Sequence, residues 1–335
     1  MAANPSGRDI DILVVGEINP DIVISDPDPV PVFGEVERLV GSIGMTVGSS
    51  SAIFACGAAR LGLRVAFVGV AGDDPFGRFM LEAMAARGID VSGCTLDAAR
   101  PTGATVILTS GRDRAILTAM GTIGALDVDA VPAAMLARAR HVHSSCFFLQ
   151  DASRERLPGF MAAARARGIT TSFDTNWDPT DRWDGGVTDM LRACDVFLPN
   201  EAEARRIARR DDVEDAAREL ARIAASGRGA DGPAARSGVG SVVVVKLGSN
   251  GAIAVGPDGD LVRVAAMPVR AVDTTGAGDS FDAGFLRGWL DGRPLPDALR
   301  LGAVCGALST LRAGGVDGQP TYAEATDALA DWPAG

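Results

Sequence analysis

Residues 273–286 read DTTGAGDSFDAGFL, and they constrain the chain more than any other stretch. Five small residues, Thr274, Thr275, Gly276, Ala277 and Gly278, crowd ahead of an apolar run carrying Phe281, Phe285 and Trp289. Aromatics four apart follow helical periodicity, so the pattern predicts a helix beginning near Ala277. Small residues there let a ligand approach the backbone, and the unpaired N–H groups of a first turn face outward. Those donors and the helix dipole together favour an anion. Asp279 then stands in the first turn of an anion-binding helix, where it repels the anion unless it has chemistry to perform beside it. Phosphoryl transfer supplies that chemistry, because it needs a carboxylate that takes the proton of the attacking hydroxyl. The ordinary alternative is an acid that stabilises the helix dipole. On this stretch alone both readings stand.

The rest of the chain removes competing functions. Its 335 residues are 47% hydrophobic, enough for a large core. A net charge of −11 with no basic block argues against a nucleic-acid partner. Five scattered cysteines without a CxxC pair read as reduced thiols in a cytoplasmic protein. Neither a signal peptide nor a span of ~20 apolar residues is visible, so no membrane association is expected. Lys246 is the only lysine, and no Gly-Lys pair exists, which excludes a P-loop. Phe281 stands where a dinucleotide fingerprint needs its third glycine, which disfavours an oxidoreductase.

Read in order, apolar runs alternate with helical patterns, the signature of a mostly parallel sheet flanked by helices. Ile10–Val15 is a first buried strand, followed by Asn19 and Asp21, where ligands of open α/β sheets bind. Residues 17–46 are rich in Pro and Gly and predict loop and short strands. A helix opens after Gly48 and Ser49, residues 65–70 form a strand, and 103–122 read as a hairpin interrupting the alternation. Further strands fall near 141–145, at 169–174 (ending in Asp174-Thr175-Asn176), 196–198, 242–245 and 253–255. Helices are expected over 131–140, 154–167, 296–312 and 321–330. Residues 1–8 are expected to fray, and 226–240 to form a Gly/Ala-rich excursion. His141 and His143, the only histidines, read as packed or edge residues. One domain over 9–330 fits best, without repeats or linkers.

DTTGAGDSFDAGFL resembles the C-terminal signature of the ribokinase (PfkB) family of carbohydrate and nucleoside kinases, at every restricted position. The resemblance extends from about Asp9 to Leu329. It implies an α/β ribokinase-like fold with a small β-strand lid, placed here at about 17–46 and 103–122. It makes the backbone of Gly276, Ala277 and Gly278 the anion hole and Asp279 the catalytic base. Asn19, Asp21, Gly48, Ser49, Ile53, Asp174 and Asn176 fall on the substrate side. Asn200 and Glu203 match the N-x-x-E motif that orders Mg²⁺-bound water and phosphate. Lys246, Gly248, Gly251 and Gly306 fall on the nucleotide side, with ATP as donor. Asp273 and Thr275 match a loop that holds a monovalent cation such as K⁺ in some members. Lid strands of the family often pair across a homodimer. Each role keeps an ordinary counterpart: a turn acid for Asp21, a helix cap for Asn200 and Glu203, a solvated strand end for Lys246.

Two departures bear on the substrate. The family pattern GGxxxN reads VGSSSAIF here, placing Ile53 where an Asn contacts substrate. Asp178 follows the D-x-N motif where sugar-acid kinases carry Arg, and a carboxylate there repels an acidic substrate. The expectation is therefore an ATP-dependent phosphotransferase acting on a hydroxyl, a primary CH₂OH, of a small neutral sugar. A nucleoside kinase and a catalytically silent sugar or nucleotide sensor are the alternatives.

Overall fold

The computed structural model describes residues 7–110, 114–227 and 241–332. Fourteen strands run in chain order: β1 Ile10–Val15, β2 Pro20–Ser25, β3 Ser42–Val47, β4 Val65–Val68, β5 Val70–Gly72, β6 Thr95–Asp97, β7 Ala104–Thr109, β8 Arg114–Ala119, β9 Ala139–Ser144, β10 Thr170–Phe173, β11 Val196–Phe197, β12 Val242–Lys246, β13 Ala252–Val255 and β14 Leu261–Val264. Eight of them form the central sheet, in the order β14-β13-β12-β11-β10-β9-β1-β4. It is parallel from β4 to β12, the β12–β13 and β13–β14 pairings are antiparallel, and β13 alone runs against the others. Strands covered on both faces favour apolar side chains, which is why Ile12–Val15 of β1 and VVVV of β12 read as unbroken runs, while the buried Asp11 of β1 is paired with Arg64 and Arg140. In β1, Leu13 and Val15 enter one core and Ile12 and Val14 the other. The first core packs against helices Leu157–Ala166, Val187–Ala193 and Val213–Ser226; the second packs against Ser50–Arg60, Ala277–Leu290 and Leu295–Ser309.

The expected hairpin is present as β7 and β8, and it joins β2 and β3 in a separate four-stranded sheet, β3-β2-β7-β8. Its turn at 111–113, like most of the 226–240 excursion and residues 1–6, lies outside the described residues. The strand expected over 65–70 breaks at Gly69, because the chain there runs against β1: a Cβ on Gly69 would lie 2.7 Å from the Gly16 carbonyl. β5 instead pairs with β6. Sequence reasoning misses helices Val187–Ala193 and Val213–Ser226, although the second is strongly amphipathic, capped by Asp212, and buries Ala216, Ala217, Leu220 and Ala224. Both histidines are packed residues of β9, fully buried, with His143 stacked on Phe54.

Candidate active site

Parallel strands end on the same side of a sheet, so β1, β9, β10, β11 and β12 deliver the residues at or just beyond their ends to one rim. These are Glu17, Cys146, Asp174, Asn200 and Lys246, and all five line a cavity of about 480 Å³. Asn19, Asp21, Ser49, Ser50, Ile53 and Asn176 complete its sides, while Thr105, Arg114 and Ile116 of the second sheet cover it. A second cavity of about 470 Å³ lies beyond, bordered by Gly248, Ser249, Gly251, Ala303, Gly306 and Thr310. The two share Lys246, Gly248, Thr274, Ala277 and Gly278. They meet at the start of the Ala277–Leu290 helix.

That helix begins after Gly276, which adopts φ 70° and contributes no side-chain cap. Apart from Ala277 N, which donates to the Thr274 carbonyl at 3.3 Å, its first-turn N–H groups are left for a ligand, and no bulkier residue fits: a Cβ at Gly276 would lie 2.8 Å from both the Gly315 carbonyl and an Ile53 methyl. Asp279, half-buried, opens into the first cavity. Burial pushes its carboxyl up to about 8, against the pull of the Lys246 charge. Such a carboxyl gains and loses a proton near neutrality, as a general base must.

Lys246 is not a solvated strand end. Its Nζ donates to Asp174 Oδ2 at 2.7 Å and to Asp282 Oδ2 at 2.8 Å, and the three side chains are almost wholly enclosed. Burial disfavours its charge, yet Asp174 and Asp282 raise its pKa further than burial lowers it. Asp282 carries no assigned role in the sequence reading, although it lies one helical turn from Asp279. Burial drives its carboxyl well above the usual range, with Lys246 opposing.

In the first cavity, burial lifts the Asp21 carboxyl to about 7, with the Arg114 charge opposing. Gly48 makes room for it: a Cβ there would overlap the carboxylate and lie 2.7 Å from the Asp21 amide nitrogen. Asn19 Nδ2 donates to Thr105 Oγ1 at 3.3 Å, linking the end of β1 to the covering sheet. Ser49, Cys146 and Asn176 all have positive φ without being glycine, a costly conformation that recurs around this cavity. Asn176 Nδ2 donates to Ser50 Oγ. Ile53 reaches the wall but is 4% exposed, its methyls packed under Gly276 and Gly315.

Sequence reasoning misses Glu17, though it closely follows β1 and the rule that singles out Asn19 and Asp21 covers it equally. Its carboxylate accepts from Ser49 Oγ at 3.0 Å, Ser51 N at 3.1 Å and Ser51 Oγ at 2.6 Å. Arg114 is missed because only the hairpin's docking brings it here, where it donates to Thr275 Oγ1 at 3.3 Å. Asp178, expected to repel an acidic substrate, does not face one. Its carboxylate is absent from the cavity lining and accepts from Thr180, Arg182 and Trp183 backbone N–H groups at 2.7–3.1 Å, folding its own loop. Acidic substrates are not excluded by it.

Asn200 and Glu203 form a reciprocal capping box: Asn200 Oδ1 accepts from Glu203 N at 3.0 Å, and Glu203 Oε2 accepts from Asn200 N at 2.8 Å. Both also line the first cavity. Burial, then the Asp174 charge, raises Glu203 to about 7, a cost that a nearby cation would relieve. No cluster of three metal-ligating side chains occurs among the described residues. A lone carboxylate still suits Mg²⁺, which keeps several of its waters. Asp273 accepts from Thr275 N and Oγ1 and from Gly314 N at 2.8–2.9 Å. Burial works against its ionisation, but these bonds outweigh it and hold the carboxyl below its ordinary value.

A parallel α/β sheet whose strand ends deliver carboxylates to an uncapped helix start, between two cavities, defines a ribokinase-like protein. Residues 9–322 match the pfkB family of carbohydrate kinases, and the chain belongs to that family. It is 32% identical to a fructokinase of Klebsiella pneumoniae over 82% of this chain and 88% of that one. It is 30% identical to the ribokinase of Haemophilus influenzae over 95% and 98%. A double-mutant fructokinase of Vibrio cholerae O395, solved with fructose, ADP and potassium, shares the fold at TM-score 0.77 and 23% identity, over 96% and 99%. The protein is a carbohydrate kinase.

Proposed function

We propose that residues 9–330 form one kinase domain that transfers the γ-phosphoryl group of ATP to a primary hydroxyl of a small sugar. The meeting of the two cavities at the uncapped helix start, with Asp279 beside it, carries this reading. ATP occupies the cavity of Gly248, Gly251 and Gly306, and its γ-phosphate faces the N–H groups of residues 276–278. The sugar occupies the other cavity, its hydroxyls held by Asp21 with Asn19 and Asn176 alongside. Asp279 takes the proton of the attacking hydroxyl, whose oxygen bonds to phosphorus as the bond to the ADP oxygen breaks. Asn200 and Glu203 hold hydrated Mg²⁺, which neutralises phosphate charge when bound. Asp273, kept ionised, and Thr275 border a site for a monovalent cation such as K⁺.

The β3-β2-β7-β8 sheet is the lid. Together with the segment that joins β2 to β3, it exposes Phe33, Leu39, Ile43 and Leu117, an apolar surface that supports a homodimer closed through the lids. Five free thiols fit a cytoplasmic location. The deciding experiment mixes protein, ATP and Mg²⁺ with fructose, ribose, acidic sugars and nucleosides and follows ADP. Sugar-dependent ADP release is expected, and its absence across the panel would favour a silent sensor. An acidic sugar is a second reading, favoured by Arg114 in the lining.

A further inference from the structure

A third cavity, about 570 Å³, opens beside Cys56 and Arg60, toward the opposite end of the Ser50–Arg60 helix from Ser50 and Ile53 of the first cavity. Arg60, Arg87 and Arg312 line it, against a single acid, Asp317. Three arginines and one aspartate line this cleft, and with Glu324 in electrostatic reach of Arg60 and Arg312 it is still net basic on a chain of net charge −11. Their donors are only partly used. Arg87 donates to the Ala83 carbonyl at 3.0 Å and reaches Asp317 at a long 3.4 Å, Arg60 spends its Nε on the Gln319 carbonyl at 2.5 Å, and Arg312 makes no hydrogen bond or ion pair among the described residues. Planar guanidinium groups converging on a cleft of this size suit the oxygens of a phosphate.

The cleft is coupled to the reaction site through the turn that forms its wall. Gln319 Nε2 donates to the Ile53 carbonyl at 2.9 Å and to Ser280 Oγ at 3.1 Å, on the residue next to Asp279. In the same turn, Gly314 N donates to Asp273, and Gly315 abuts Gly276. We propose that this cleft binds a small phosphate-bearing dianion, inorganic phosphate or a phosphate ester, and so braces the 312–319 turn behind the anion hole.

The test is thermal unfolding of the full chain with ADP present, and the Arg312→Gln variant separates binding in this cleft from phosphate at the anion hole or a sugar phosphate in the sugar cavity. Inorganic phosphate and a hexose 6-phosphate are titrated separately, each against chloride at matched ionic strength. Either ligand is expected to raise Tm by about 2–5 °C at ~100 times its Kd. The tighter of the two identifies the source. Amide exchange over residues 312–319 should slow in parallel. Arg312→Gln should weaken the effect at least ~10-fold, and Arg312→Lys, which keeps the charge, should retain most of it. A rise in Arg312→Gln equal to wild type, no rise with either ligand, or unchanged exchange over 312–319 overturns the proposal.

Discussion

Lys246 Nζ lies 2.8 Å from Asp282 Oδ2, and this contact ties the end of β12 to the helix that carries Asp279. With Asp174 on its other side, the lone lysine is the counter-charge for two buried carboxylates. Removing it leaves both uncompensated. Lys246→Met should therefore destabilise the fold by about 3–5 kcal/mol, the usual effect of breaking a buried pair from one side. Asp282→Asn, which removes charge but keeps a hydrogen-bonding group, should cost less. Urea unfolding of both variants checks this, and a Lys246→Met midpoint equal to wild type would refute it.

Asp279→Asn should lower kcat by about 10²–10⁴ while leaving KM for sugar and ATP nearly unchanged. A base must be deprotonated to accept the hydroxyl proton. With its pKa pushed up to about 8, wild-type kcat/KM should rise with pH through that value. A flat profile from about pH 6 to 9, or near-normal turnover in the Asn variant, would assign Asp279 to the helix dipole alone.

Glu203→Gln should raise the Mg²⁺ concentration needed for half-maximal rate, since a charge facing the hydrated ion is lost. The amide still caps the helix, so stability should change little. Superimposable Mg²⁺ titrations would leave the residue with its capping role only.

Asp21→Ala should reduce kcat/KM for the sugar by about 2–4 kcal/mol of transition-state stabilisation, the range for losing a charged hydrogen-bond partner. Gly48→Ala should act on the same group indirectly, because its methyl would displace the Asp21 carboxylate. A raised KM for sugar with ATP affinity intact is expected. Equal effects on both substrates would point to general distortion instead.

His141 gives a stability signature independent of catalysis. Burial lowers its pKa to about 3, so folding favours the neutral ring. The unfolded chain, with a histidine pKa near about 6.5, binds more protons between those values. This contribution is complete above about pH 6.5 and is lost as pH falls toward about 3. Across that window it amounts to several kcal/mol, on the order of 1.4 kcal/mol for each pH step of one. His141→Gln, less stable at neutral pH, should lose less on acidification than wild type. Parallel stability-versus-pH curves would remove His141 as the cause.

The sequence by itself determined the elements and the chemistry that is local in the chain. Unbroken apolar runs identified strands such as β4, β12 and β13, which are buried on both faces, whereas β9 and β10 bury His, Ser and Thr that hydrogen-bond to one another. Spacing along one stretch placed Gly276 at a helix start and Asp279 in its first turn, since both follow from neighbours within a single turn. The capping box of Asn200 and Glu203 was visible for the same reason. Tertiary structure alone decided what depends on residues far apart in the chain. Lys246 meets Asp174 and Asp282 across separations of 72 and 36 residues. Arg114 reaches the cavity only because its hairpin pairs with β2. Asp178 points into its own loop rather than the cavity, a direction set by four local donors that no spacing rule distinguishes. Periodicity encodes which face of an element is buried, but the partners on that face are selected by packing of the whole sheet.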